Sequence, residues 1–485
     1  MKGKSDMSIL ERVPPKSVGL GADALSDYLD RLGESGCHSV MVLRHGKVAL
    51  EGWWDPYKKE YNHIAYSLSK SFVSVAIGFA VQEKLLKLDD HVTDFFPERL
   101  PCRPCENMQK LKIRHLLTMS TGHRGITDHD FYRSHDWLDE ILHLYLEKEP
   151  GTDFFYDNRC TLLCSVILQK LTGLTVYEYL KPRLFEPLGI ENVWWETRSG
   201  YNPGGWGLNL KTEDIAVFGQ FLLNRGQWQG KQLLDPEYID TAGSAVIANA
   251  GVSVYDWADW QKGYGYFFWQ CVPEGVYRGD GAFGQFVIVA PRQDMVVAIT
   301  AGTDRACELL EATWTMLDGA LADTAGSDTL LKEKAAKLGI PACEGDSCPE
   351  ELKRYSGKTF KFPKNEAGFE KLSIVFGAAD EIHMVIDAEA FDAFSGHGRW
   401  IETATGFQSD RFNAMTSFFY GDVACSSGWR EDEYIVKLVF TRTPYTDTMH
   451  IRFDGNAVRV KYVCSPVLPL RHGIVELTGC ISGKE

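Results

Sequence analysis

The sequence predicts an α+β protein in which a domain of mixed helices and strands precedes a β-rich, barrel-like domain. Strand patterns at both ends of the first 320 or so residues enclose a helical region, so one sheet would be built from both ends of this domain. The composition changes over residues 322–348, and beyond residue 350 the pattern alternates and is rich in turns. We therefore expect a first domain at 1–325, a linker at 326–348 and a β-rich domain at 349–485.

Periodicity and turn signals place the individual elements. After a helix near GADALSDYLDRL, two strands at 38–44 and 47–54 are joined by the turn pair His45 and Gly46. Further helices are predicted at 65–81, 113–122, 136–146, 160–172, 213–224 and 305–321, and strands at 265–271, 286–290 and 295–301. Strands of the second domain are predicted at 372–376, 383–386, 413–420, 434–441, 448–453 and 457–464.

The helix at 65–81, AYSLSKSFVSVAIGFAV, has a polar start and apolar residues on every face beyond it, so it should be buried. Ser67 and Lys70 lie three residues apart, on one face of the first helical turn. This turn has free N–H groups and lies at the positive end of the helix dipole. A serine beside an amine that burial pushes toward neutrality would be an activated nucleophile. The alternative is an N-cap serine with a solvated lysine, and this pair alone leaves both interpretations open.

Two more segments carry polar or glycine residues at element boundaries. Tyr156, Asp157 and Asn158 open the helix at 160–172, where the simpler interpretation is an aromatic core residue followed by an N-cap. Gly279 and Gly281 enclose an aspartate just before the strand AFGQFVIVAP. Glycines there allow a ligand to approach the backbone closely, although a tight turn into an edge strand would use them equally well.

Charge and composition exclude several classes of function. The formal net charge of −15 disfavours binding to nucleic acid or to an anionic membrane. No apolar run has the length of a signal peptide or a membrane span, so we expect a cytoplasmic protein. The twelve cysteines are scattered, and the single C-x-x-C, at Cys102 and Cys105, has no second pair at zinc-finger spacing. We expect free thiols, no metal site and no cofactor.

Taken in order, the motifs resemble those of the serine β-lactamase and penicillin-binding protein superfamily, especially its class C-like esterases and 6-aminohexanoate-oligomer hydrolases. The matching segments are SLSK (67–70), IRHLLTMSTG (113–122), PGTDFFYDN (150–158), FEPLGIENVWW (185–195), TEDIAVFGQFLLNRGQWQGKQLL (212–234) and GDGAFGQFVIVAPRQDMVV (279–297). The resemblance covers roughly residues 15–320. It implies a β-lactamase/transpeptidase-like domain, with an antiparallel sheet flanked by helices and a helical subdomain. The C-terminal region is similar to the lipocalin-like domains that some relatives carry.

The resemblance also implies roles for individual residues. Ser67 would attack an acyl carbon, while Lys70 and Tyr156 take its proton and pass it to the leaving group. Asn158 would hold the lysine and touch a substrate oxygen. The oxyanion hole would be the backbone N–H groups of Ser67 and Ala282, next to the substrate-binding Gly279 and Gly281.

One position departs from the family pattern. Gly279 stands where relatives carry lysine, or histidine or tryptophan in the esterase-like branches. No side chain at this position can hold a penicillin carboxylate, which puts β-lactam hydrolysis in doubt.

The sequence therefore predicts a serine hydrolase that cleaves a small ester or amide through an acyl-enzyme. A D-amino-acid peptidase or amide hydrolase is the alternative within the same chemistry. A second alternative is a catalytically weak relative that binds a ligand or partner. The expected partner is a small-molecule ester or amide, with no nucleic acid and no membrane, and a homodimer is left open.

Overall fold

The structure is a computed structural model that describes residues 9–124, 137–252, 256–322, 324–365, 367–405, 422–466 and 473–481. The chain forms two compact units. The first consists of Met1–Gly52, Ile64–Thr300 and Arg305–Ala336, and the second of Trp53–His63, Ala301–Asp304 and Lys337–Glu485.

The first unit contains a six-stranded sheet that joins strands from both ends of its sequence. Its strands and the shorter ones around it are β1 (Cys37–Arg44), β2 (Lys47–Trp53), β3 (His63–Ile64), β4 (Trp194–Trp195), β5 (Leu208–Leu210), β6 (Gln227–Trp228), β7 (Lys231–Gln232), β8 (Trp269–Gln270), β9 (Tyr277–Gly281), β10 (Gln285–Ala290) and β11 (Met295–Ala301). The order in the large sheet is β2-β1-β11-β10-β9-β8. The two N-terminal strands thus adjoin four strands formed some 230 residues later, as the sequence predicts.

Helices surround this sheet. Within the described residues they are α1 (Ala22–Glu34), α2 (Ser69–Gln82), α3 (Glu106–Lys110), α4 (Ile113–Leu117), α5 (Trp137–Leu142), α6 (Asn158–Thr172), α7 (Val176–Leu180), α8 (Glu186–Leu188), α9 (Thr212–Leu223), α10 (Pro236–Ala242), α11 (Ala306–Ala322) and α12 (Asp328–Ala335). Helix α1 packs against α11, and α9 packs against β1 and β10. Helix α2 contacts α6, α7 and β9, and twelve of its fourteen residues are buried, which explains why its sequence is apolar on every face.

The second unit contains a closed barrel of nine strands. The strands of this unit are β12 (Thr359–Lys361), β13 (Phe369–Val375), β14 (Asp380–Ile386), β15 (Glu389–His397), β16 (Ile401–Ala404), β17 (Asp422–Arg430), β18 (Glu433–Phe440), β19 (Thr446–Asp454), β20 (Ala457–Ser465) and β21 (Ile474–Ile481). Consecutive strands pair antiparallel, and a parallel pairing of β15 with β17 closes the barrel, with β16 as an extra strand on β17. The predicted α+β class with a β-rich C-terminal barrel is therefore confirmed, while the predicted strand at 413–420 lies outside the described residues.

The second unit also includes a segment from early in the chain. Tyr57, only 5% exposed, packs with Ala424 and Val439, and its hydroxyl donates a hydrogen bond to the carbonyl of Thr443 at 3.2 Å. The sequence-based boundaries place Trp53–His63 in the first domain, because nothing in a short loop sequence shows which core its aromatic residues join.

Candidate active site

Ser67 lies in the 3₁₀ turn Tyr66–Leu68, which runs directly into α2. The preceding residue, Tyr66, has the left-handed φ of 46°, a conformation that costs energy for a residue with a side chain. Its ring packs edge-on against Phe283, with the ring centroids 5.5 Å apart. The partly exposed Ser67 is thus held in a tight turn at the N-terminus of the buried helix α2.

Lys70 is buried, and it directly contacts the serine. Its side-chain amine donates hydrogen bonds to Ser67 Oγ at 2.7 Å and to the carbonyl of Gly205 at 2.9 Å. Burial lowers the pKa of Lys70 to about 7, although the negative charge of Asp280 acts in the opposite direction. The interpretation of Lys70 as a solvated first-turn residue is therefore wrong, since the residue is only 2% exposed.

Tyr156 also lies close to this amine. The Lys70 nitrogen is 5.0 Å from the centroid of the Tyr156 ring, which stacks on Trp269 at 5.5 Å and an interplanar angle of 26°. The predicted trio of serine, lysine and tyrosine is thus brought together.

Asn158, the first residue of α6, borders the same place from the side of Gly205. A Cβ added at Gly205 would lie 3.1 Å from Asn158 Oδ1 and 3.0 Å from Thr161 Oγ1. Sequence reasoning missed Gly205, which lies in the irregular, glycine-rich segment 201–209. The only signal was the run of glycines itself, which indicates close backbone approach without saying to what.

Gly279 and Gly281 belong to β9, rather than preceding a strand as the sequence suggested. The strand pairs with β10 in the register Gly281 to Gln285 and Gly279 to Val287. A Cβ at Gly279 would lie 2.5 Å from Leu68 Cδ1, and one at Gly281 would lie 2.2 Å from the carbonyl oxygen of Ala65. Weak strand formers occur here because only glycine lets β9 press against the turn that carries the serine.

This close approach also determines where Ala282 lies. Ala282 follows Gly281 directly, in the tight turn between β9 and β10, and is partly exposed. Its backbone therefore lies near the turn of Ser67. Each predicted site residue, from Ser67 to Ala282, belongs to the first unit.

The described residues contain no group of three or more histidine, cysteine, aspartate or glutamate side chains that could hold a metal ion. No single helix among them is long and apolar enough to cross a membrane, and only the pair Asn158–Thr172 and Val176–Leu188, bent by 67°, meets that criterion jointly.

Comparisons with known proteins extend these observations. A family model described as Beta-lactamase matches residues 25–315. A Beta-lactamase of Escherichia coli is 25% identical over 222 residues, which make up 39% of this chain and 56% of that relative. The 6-aminohexanoate-dimer hydrolase of Paenarthrobacter ureafaciens is 22% identical over 300 residues, with 57% of this chain and 75% of the relative covered.

One solved structure is similar over nearly the whole chain. It is the octameric penicillin-binding protein homologue from Pyrococcus abyssi, with a TM-score of 0.50 and 15% identity. The match covers 94% of this chain and 99% of that chain. This likeness concerns the fold alone.

Proposed function

The chain belongs to the Beta-lactamase family, and from this membership we propose that it is a serine hydrolase that cleaves a small ester or amide through an acyl-enzyme on Ser67. The family and the named relatives make it a hydrolase of the β-lactamase-related kind. The proposal goes further, to the nucleophile, the covalent intermediate and the substrate class.

The observation that carries the proposal is the 2.7 Å hydrogen bond from the Lys70 amine to Ser67 Oγ. A general base must lie within hydrogen-bond reach of the proton it removes, and its pKa should be near the working pH. The buried Lys70, with a pKa of about 7, meets both conditions. The neutral amine would take the hydroxyl proton as Ser67 Oγ forms its bond to the acyl carbon.

The other residues of the site supply the remaining steps. Tyr156, against the same amine, would pass the proton to the leaving alcohol or amine, whose bond to the acyl carbon then breaks. The backbone N–H groups of Ser67 and Ala282 would stabilise the negative charge on the carbonyl oxygen. Water would then release the acid by attacking the acyl-enzyme, with the same residues moving its proton. Asn158 borders the site where a substrate oxygen would lie.

Covalent labelling tests the proposal. The full-length protein is treated with a fluorophosphonate, and its intact mass and peptide map are measured. One adduct on Ser67 is expected. Ser67→Ala should abolish the adduct, whereas the control Ser74→Ala, which removes another buried hydroxyl of α2, should retain it. Labelling that persists in Ser67→Ala would refute the assignment, and a folded wild-type protein that is never labelled would favour the alternative of a binding protein.

An amide hydrolase is the second candidate within this chemistry. It is favoured by the relative named 6-aminohexanoate-dimer hydrolase, three quarters of which aligns with this chain. A panel of matched esters and amides with the same acyl group separates the two. Faster turnover of the amide relative to its spontaneous hydrolysis would identify an amidase.

A further inference from the structure

Two aspartate–arginine pairs lie beside the motif residues, and the proposed mechanism uses neither; all four side chains are buried except that of Asp280, which is 12% exposed. The first is Asp157 with Arg159, on both sides of Asn158. The carboxylate, 3% exposed, accepts hydrogen bonds from the backbone N–H of Arg159 at 2.9 Å and from its side-chain Nε at 2.8 Å, and lies 2.7 Å from Nη2. It thereby caps the start of α6 and fixes the chain immediately after Tyr156.

The second pair has the same spacing in the opposite order. Arg278 is fully buried, and its Nε and Nη2 lie 3.0 and 2.9 Å from Asp280 Oδ2. The guanidinium stacks over Trp260 at 4.5 Å and donates a hydrogen bond to the carbonyl of Asp259 at 2.9 Å. Asp280 itself stands between Gly279 and Gly281, the residues that press against the Ser67 turn.

Stability alone is a weak reason for these pairs. Burying two ions costs several kcal/mol each before their attraction is counted, and apolar residues of similar volume often stabilise a protein at least as well. Both pairs occur next to motif residues, the partners of each pair are two residues apart in sequence, and both carboxylates act on the same amine. Asp280 and Asp157 raise the pKa of Lys70, against its desolvation by burial. Among the described residues, Cys160 and Tyr156 are further titratable groups beside the amine.

We propose that Asp157–Arg159 and Arg278–Asp280 are positioning pairs, which hold the Tyr156 segment and strand β9 around Lys70 and set how readily Lys70 releases its proton. This inference rests on the proposed function, in which Lys70 is the base. Each carboxylate favours the charged amine, while each arginine holds its carboxylate in place through hydrogen bonds. Burial raises the pKa of the Asp280 carboxyl to about 6, and Arg278 acts in the opposite direction, so the arginine favours the ionised carboxylate.

The test is the pH dependence of Ser67 labelling in Asp157→Asn and Asp280→Asn. Asparagine keeps the shape and removes the charge, so the protonated amine loses an attraction. The unpaired arginine acts in the same direction. We expect the acid limb of the pH profile, where the labelling rate rises with pH, to move to lower pH by about 0.5 unit or more in each variant. The control is Asp240→Asn, which removes an exposed aspartate paired with Arg225 and should leave the limb unchanged.

An unpaired buried arginine can prevent folding, so the double variant Arg278→Gln with Asp280→Asn is measured as well. It removes both charges and should also move the acid limb of the labelling profile to lower pH. A limb that stays in place while only the maximal rate falls would mean that the pairs are merely structural, and would overturn the inference. A wild-type protein that is not labelled at Ser67 at any pH would instead refute the proposed function, and this inference with it.

Discussion

Labelling of Ser67 should depend on pH with a midpoint near 7, because Lys70 must be neutral to accept the serine proton. Burial lowers the pKa of Lys70 from 10.5 to about 7. At pH 7 about half of the molecules then hold a neutral amine, compared with roughly one in 3,000 for an ordinary lysine. The difference corresponds to about 5 kcal/mol of desolvation, an order-of-magnitude figure for a fully buried group.

The assay is the second-order rate constant for fluorophosphonate labelling between pH 5.5 and 9, measured by intact mass. The rate should fall about tenfold per unit below pH 7 and reach a plateau above pH 8. Lys70→Met should be slow across the whole range, because methionine cannot accept a proton. The control Lys87→Met removes an exposed lysine and should follow the wild-type profile.

Two results would refute this reasoning. A rate that still rises tenfold per unit through pH 9 would show that Lys70 keeps the pKa of an exposed lysine. A flat profile would show that another group activates Ser67. In either case the burial of Lys70 would not be the source of the reactivity.

Three further predictions concern stability and specificity. Lys70→Met should raise the free energy of unfolding more at pH 6 than at pH 9, with a difference of about 2–3 kcal/mol between the two pH values. The sign follows because the depressed folded-state pKa makes the charged amine costly below pH 7, and this cost vanishes as the pH rises toward 10.5. Gly279→Ala should lower that free energy by about 1–3 kcal/mol and slow Ser67 labelling, since its Cβ would lie 2.6 Å from Ser71 Oγ. The control is Gly319→Ala in helix α11, where the added Cβ would lie 3.6 Å from Ala24 Cβ, an ordinary contact. This change should be neutral or stabilising in urea titrations. A chromogenic cephalosporin should be turned over well below the usual enzyme range of about 1–1000 per second, because position 279 offers its carboxylate no partner.

Features that depend on neighbouring residues in the sequence were predicted correctly, namely the face shared by Ser67 and Lys70, the burial of α2, and strands β10 and β11. The i, i+3 relation places Ser67 and Lys70 on one face, and the structure joins them by a hydrogen bond. The apolar pattern beyond them predicted the burial of α2 correctly. Predicted strands at 286–290 and 295–301 agree with β10 and β11 to within one residue.

What the sequence could not predict depends on contacts between distant segments. Strand β9 was missed because two of its five residues are glycines, and only pairing with β10 reveals it. Strand β17 was missed for a related reason: DVACSSGWR is rich in small residues and does not alternate, because both of its faces are buried in the barrel. The contact of Lys70 with the Gly205 carbonyl joins residues 135 positions apart, and no periodicity encodes such a contact.

Glycine and burial make different contributions to this site, and the difference can be tested. Burial of Lys70 supplies a neutral amine, at a cost in stability that the apolar remainder of α2 helps to offset. Gly279 and Gly281 supply proximity, because each lets the backbone of β9 approach the serine turn more closely than any side chain allows. A substitution at a glycine should therefore displace the reacting atoms and lower the labelling rate equally at every pH. A change in the charges around Lys70 should instead move the pH at which labelling begins, so the shape of the pH profile separates the two contributions.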